Sequence, residues 1–201
     1  MNASAGYFDK LYCADPDPWK VSSSWYEQRK RALLMAALPR QHYRRAFEPG
    51  CGPGELTLCL AGRSAEVLAC DYSAEAIALA RGRLAACGNV RIERRAMPAE
   101  WPRDAAGKFD LIIISELAYY LDEAGLAKLA ALCETSLAPG GDLAACHWRH
   151  PFHDRLQSNG AIHAAFQARA SLGRLMHHSA ADFLLEIWRK GATRGGVEAA
   201  A

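Results

Sequence analysis

The chain has 201 residues, 51% of them apolar, enough for one domain to build its own core without metal or disulfide staples. Its 24 basic and 22 acidic side chains leave a formal net charge of +2, which excludes the strong positive footprint of a nucleic-acid binder. Seven cysteines, an odd count without a Cys-x-x-Cys pair, argue against a disulfide framework. The N-terminus lacks a charged segment followed by an apolar one, and no apolar run is long enough to span a membrane, so the expected setting is the cytoplasm.

The first 25 residues are aromatic-rich and read as irregular, and Pro16 and Pro18 forbid a long helix there. Ser24 and Glu27 stand at capping-box spacing and open a helix running to about Leu38, where Pro39 stops it. Strands and helices then alternate. Tyr43–Glu48 is the first strand, Glu55–Ala61 a helix, Glu66–Asp71 the second strand, and Ala74–Cys87 a helix that Ser73 can cap. Val90–Arg94 follows as the third strand. The run Phe109–Ser115 (FDLIIIS) is the most apolar in the chain and suits a central parallel strand buried on both faces. A helix over Asp122–Leu137 is closed by Pro139-Gly140-Gly141. Asp142–Trp148 is the fifth strand, Ile162–Arg169 is helical, and Asp182–Trp188 is the last strand; Gly173–Ser179 is a poor strand candidate.

This alternation implies a doubly wound α/β sheet, whose ligands sit beyond the carboxyl ends of the strands. The expected organisation is an arm and lid helix over 1–42, a ligand-binding domain over 43–190, and a tail over 191–201 that lacks a core pattern and reads as disordered.

The sequence Glu48-Pro49-Gly50-Cys51-Gly52-Pro53-Gly54 directly follows the first strand. Closely spaced glycines let a backbone turn tightly and approach a ligand. Asp71 closes the second strand, 21 residues after Gly50, where a carboxylate can accept both hydroxyls of an adenosine ribose. A dinucleotide site wants a third glycine where Glu55 stands, and an acid at a helix start repels a pyrophosphate. A nucleotide carrying a positive sulfur and no phosphate tolerates Glu48 and Glu55 better.

EPGCGPG followed by LACDYS resembles the first two motifs of class I S-adenosylmethionine-dependent methyltransferases, and NVRIERRAMPAEWP, FDLIIISELAYYL and LAPGG resemble the later ones in order and spacing. The resemblance covers residues 43–148 and implies a seven-stranded sheet of order 3-2-1-4-5-7-6 with an antiparallel seventh strand, S-adenosylmethionine as cofactor, and a set of contacts. Glu48 would hold the methionine amino end. Gly50, Cys51 and Gly52 would line the methionyl and ribose part. Asp71 would hold the ribose hydroxyls, with Tyr72 against adenine. Ala99 and Glu100 would meet the adenine amine, and Ser115 and Glu116 would stand beside the methyl group. A closer resemblance, carried by YFDKLYCADPDPWKVSSSWYEQRKRALLMAALP, ELAYYL, ACHWRHP and DFLLEIWRKG, is to the rhizobial nodulation N-methyltransferases, which methylate the free amine of a de-N-acetylated chitooligosaccharide.

Methyl transfer is an in-line displacement in which a protein chiefly aligns the acceptor. His147, Glu116 and Tyr120, after the fourth and fifth strands, are the candidates for orienting or deprotonating it. The N-terminal arm is expected to act as a lid: Trp19 and Tyr26 offer aromatic faces to a sulfonium, and Arg29 can reach a carboxylate. His163, His177 and His178 lack ligand spacing, and no metal is expected. The expected substrate is a small-molecule amine or a de-N-acetylated oligosaccharide, not a nucleic acid. The alternatives are transfer to a hydroxyl or carboxyl of a metabolite, and a non-enzymatic cofactor-binding protein.

Overall fold

The computed structural model describes residues 5–102, 105 and 107–192. Seven strands form one sheet: β1 (Tyr43–Pro49), β2 (Ser64–Asp71), β3 (Val90–Arg94), β4 (Phe109–Ser115), β5 (Leu137–Trp148), β6 (Leu172–Ser179) and β7 (Phe183–Lys190). Their order is β3-β2-β1-β4-β5-β7-β6; β7 pairs antiparallel with both β5 and β6, and the remaining pairs are parallel. Among the described residues six α-helices accompany them: α1 (Ala5–Ala14), α2 (Trp25–Ala37), α3 (Glu55–Ala61), α4 (Ala74–Arg83), α5 (Glu123–Ser136) and α6 (Asn159–Gln167), with a 3-10 turn at Ala118–Tyr120. The strand order is the one the resemblance implies.

Side chains alternate across a strand, so a strand buried on both faces must be apolar throughout. In β4, Ile112 and Ile114 join one core with Leu129 and Cys133 of α5 and Ile162 and Phe166 of α6. Leu111 and Ile113 join the other with Leu34 of α2 and Leu60 of α3. The switch point, where β1 has β2 on one side and β4 on the other, therefore lies at the middle of a sheet covered on both faces. Three helix starts are fixed by side-chain caps: Ser73 accepts from the Ala76 N–H, Asp122 from the Gly125 N–H and Ser158 from the Ala161 N–H.

Several expectations are corrected. Ser24 makes no side-chain cap; the Glu27 carboxylate turns to Lys30 instead of back to the helix start. The arm contains α1, whose Phe8 and Tyr12 lie one turn apart and face inward. β5 begins at Leu137, directly after α5, and Pro139-Gly140-Gly141 forms a bulge within it: Phe109 pairs with Leu137, but Leu111 pairs with Asp142. A Cβ on Gly141 would stand 3.0 Å from the Ala138 carbonyl and 3.1 Å from that of Phe109, so a side chain there would crowd both backbones. Gly173–Ser179 is strand after all. A register shift between Arg174 and Met176 breaks its alternation, and its outer face is polar, so the two-residue period is hidden. Residues 193–201 of the expected tail lie outside the described residues.

Candidate functional site

The carboxyl ends of β1, β2, β4 and β5 open into a cavity of about 640 Å³, roofed by α1, α2 and the loop between them. Its size is that of a pocket for a drug-sized molecule.

The floor is the loop after β1. Gly50, Gly52 and Gly54 all have positive φ (77°, 52° and 85°), which L-residues adopt at a cost. Gly50 and Cys51 donate their N–H groups to the Cys70 carbonyl, which pins the loop to the end of β2. A Cβ on Gly52 would approach the Tyr12 hydroxyl to 3.0 Å, so the bare backbone and α1 share the space over this loop. Asp71 reaches in from the tip of β2; its carboxylate accepts from the N–H of Gly52 and of Ser73, both at 2.9 Å. Burial raises the Asp71 pKa, and these backbone donors counter it.

Glu48 is the most unusual acid of the site. It is buried, accepts one hydrogen bond from Thr57 (2.7 Å), and is pushed up to about 8 by burial, with the neighbouring Asp71 adding to the shift. A buried carboxyl with spare acceptor capacity at the cavity wall suits a ligand cation. The hydroxyl of Tyr26, also on the wall, is buried and has no partner among the described residues.

At the end of β4 stands Glu116, with φ of 56°. Its carboxylate receives Lys30 Nζ at 2.8 Å, the Tyr119 hydroxyl, and the Trp148 N–H at 3.2 Å. Lys30 also meets Glu27 at 2.8 Å. Desolvation lowers the Lys30 pKa, but the Glu116 and Glu27 carboxylates outweigh it and hold the ammonium charged. Phe8, Tyr120 and Phe152 pack edge to face or tilted beside this cluster, with ring centroids 5.2 and 5.7 Å apart.

The cavity wall thus brings together Trp19, Tyr26, Glu48, Gly50, Cys51, Gly52, Asp71, Tyr72, Ser115, Glu116 and Tyr120 of the residues singled out in the sequence. Four others stand outside it. The Arg29 guanidinium lies 6.0 Å from the Phe183 ring centre, and its neighbour Arg31 faces the cavity instead. Ala99 is off the wall, and Glu100 folds back to accept from the Ala96 N–H (2.7 Å); Met97 takes the wall position. His147 is fully buried behind Tyr119, with its pKa pushed well down by burial and by His163. Sequence reasoning missed Lys30, Arg31, Tyr12 and Phe152. The spacing of Phe8, Leu11 and Tyr12 was the available signal for α1. No cluster of three or more metal-ligating side chains occurs among the described residues.

The chemistry of these groups fits S-adenosylmethionine. Glu48 offers a carboxyl to an amino group, Asp71 retains acceptor capacity for ribose hydroxyls, and the glycine loop admits close approach. Glu55, at the start of α3 on the cavity wall, would repel a pyrophosphate there.

Known proteins point the same way. The methyltransferase domain family matches residues 46–141. A crystal structure from Pseudomonas syringae, assigned to the methyltransferases, is 46% identical over 83% of this chain and all of that one, with a TM-score of 0.73. The N-methyltransferase NodS from Bradyrhizobium japonicum, in complex with S-adenosyl-L-homocysteine, shares the fold at 21% identity, covering 94% of this chain and all of that one, with a TM-score of 0.79. Malonyl-[acyl-carrier protein] O-methyltransferase from Enterobacter lignolyticus is 32% identical over 59% of this chain and 44% of its own length. The chain spans about half the length of the curated relatives it matches, between 44% and 60% for the first four.

Proposed function

Since the chain belongs to the class I S-adenosylmethionine-dependent methyltransferases, we propose that it N-methylates the amine of a small molecule or a de-N-acetylated oligosaccharide. The observation that carries this reading is the sign of the cavity. Apart from Glu48, its described wall holds the carboxyl groups of Glu27, Glu55, Asp71, Glu116 and Asp154 against the cations of Lys30, Arg31 and Arg95, in a chain whose net charge is +2. An anionic cavity with aromatic walls favours a cationic acceptor and disfavours a carboxylate or a phenolate.

Bound S-adenosylmethionine supplies the methyl group. In this reading Glu48 holds its amino group, Arg31 its carboxylate, and Asp71 its ribose. Glu116 orients the acceptor: the ammonium gives up one proton to water on binding, and the carboxylate accepts an N–H of the resulting amine, leaving the nitrogen lone pair free to form the N–CH3 bond as the S–CH3 bond breaks in line. Tyr119, Lys30 and the Trp148 N–H keep that carboxylate in place. Phe8, Trp19, Tyr120 and Phe152 cover the reacting end and exclude water.

The test is methyl transfer from labelled S-adenosylmethionine to a panel of amines that includes a terminally de-N-acetylated chitooligosaccharide, each paired with its acetylated form. Transfer to free amines alone supports the proposal. Transfer to hydroxyl or carboxyl acceptors, with amines inert, overturns it in favour of an O-methyltransferase such as the Enterobacter relative.

A further inference from the structure

Behind the cavity wall runs a chain of ionisable side chains that the methyl-transfer site does not use directly. His147 Nδ1 lies 3.2 Å from His163 Nε2, and His163 Nδ1 lies 2.7 Å from Glu186 Oε2. The other oxygen of Glu186 meets His177 Nδ1 and Arg174 Nη1, both at 2.8 Å, at the half-exposed surface of β6. His147, His163 and Glu186 are each buried. Burying three such groups is costly, and a fold of this kind is not obliged to do it.

The hydrogen-bond roles follow from the carboxylate. Burial raises the Glu186 pKa, but hydrogen bonds from His163, His177 and Arg174 outweigh it and bring it to about 2. The ionised carboxylate only accepts, so His163 donates from Nδ1. His147 Nε2 is buried without a partner among the described residues, where an N–H would be an unsatisfied donor, so the His147 proton sits on Nδ1 and is donated to His163 Nε2. His147 Nε2 is then a bare lone pair. The His147 ring stands edge-on to Tyr119, with centroids 5.5 Å apart. Tyr119 donates its hydroxyl to Glu116, and the residue after His147 donates its N–H to the same carboxylate.

We propose that His163 and Glu186 are positioning residues for methyl transfer: they fix His147 as its Nδ1–H tautomer and, through the His147 ring, hold Tyr119 where its hydroxyl meets Glu116. This rests on Glu116 facing the acceptor. The relay itself does not. The charged and titratable neighbours of His147 are His163 on α6, Tyr119 beside β4, Arg155 in the loop before α6, and Lys30 on α2. Burial first, and the Arg155 and Lys30 charges with it, oppose a proton on His147, so the ring stays neutral through the working range.

The experiment has two readouts. In ¹⁵N-imidazole spectra of the unliganded protein, His147 is expected to show a protonated Nδ1 and a bare Nε2 from pH 5.5 to 8, and Glu186→Gln to give a mixture of tautomers. A protonated Nε2 in the wild type, or titration near pH 6.5, overturns the proposal and needs no substrate. With an amine that the enzyme turns over, Glu186→Gln is expected to lower kcat by about tenfold, with KM for the cofactor unchanged. In a Tyr119→Phe background the same substitution should add less than a twofold loss, because both act through one contact. Additive losses overturn the coupling to Tyr119 and reduce the triad to a structural role.

Discussion

Lys30 Nζ lies 2.8 Å from Glu116 Oε1, so one buried ammonium ties helix α2 to the carboxyl end of β4. It also holds Glu27, whose own pKa is raised by burial despite the cation beside it. Lys30→Met leaves two neighbouring carboxylates without their counter-charge, and urea unfolding at pH 7 should show a loss of roughly 2–3 kcal/mol. The sign with pH is set by Glu27. A carboxyl raised in the folded state favours folding at low pH and loses that contribution as pH rises through its folded value. The deficit of Lys30→Met should therefore be larger at pH 8 than at pH 5. Equal deficits would show that the pair contributes no buried electrostatics.

Neighbouring arginines on α2 differ in where they point. Arg31 faces the cavity, donating to the Val21 carbonyl at 3.0 Å and lying 3.9 Å from Glu55, whereas Arg29 lies against Phe183. Arg31→Met should weaken S-adenosylhomocysteine binding by about tenfold or more, the scale of a charge-assisted hydrogen bond. Arg29→Met should change it less than twofold. Calorimetric titration of the two variants separates these phases of one helix, and the reverse ranking would place the carboxylate contact on Arg29.

A Glu48 that holds the cofactor's amino group, as proposed, predicts pH-dependent binding. At about 8 its pKa leaves much of the carboxyl protonated at pH 7, and a bound ammonium draws it into the ionised form. Binding should release a proton at pH 7, seen as a dependence of the calorimetric enthalpy on buffer ionisation, and affinity should rise from pH 6.5 to 8. In the unliganded protein the sign is opposite for stability: the raised carboxyl favours the fold at low pH and loses that effect as pH rises through about 8. Glu48→Gln should therefore raise Tm of the unliganded protein at pH 8 while weakening binding. Lower Tm together with pH-independent binding would remove Glu48 from the cofactor site.

The parts of this molecule that were legible in the sequence are those whose physics is local. The FDLIIIS strand declares double burial by composition, the glycine loop and Asp71 declare themselves by spacing after strands, and Ser73 by its place before a helix. What stayed hidden depends on tertiary partners. Whether Arg29 or Arg31 faces the cavity depends on the rotation of α2, which Leu34 fixes by packing into the core. Glu27 has the spacing of a capping box, yet Lys30 is the stronger partner once both are buried. β6 is concealed by the register shift before Met176, and the His163–Glu186 pair joins residues 23 positions apart that no motif connects.

The latch over the cavity is open to a direct test. Tyr7 on α1 donates its hydroxyl to Asp154 Oδ2 at 2.6 Å, and both residues line the cavity from opposite sides of its mouth. The same half of the helix is held by Asp9, which accepts from the Ser73 hydroxyl at 2.5 Å. The bonds to Ser73 and to Asp154 both hold the first half of α1 beside the cavity, and breaking the second is expected to loosen it. Tyr7→Phe should speed release of S-adenosylhomocysteine by about three- to tenfold, the scale of one hydrogen bond, and so should Asp154→Asn. The Trp19 indole, on the same wall and 5.5 Å from Tyr12, provides a fluorescence signal for stopped-flow measurement. If neither substitution changes the release rate, α1 does not gate the cavity and ligands leave beside Trp148 and His153 instead.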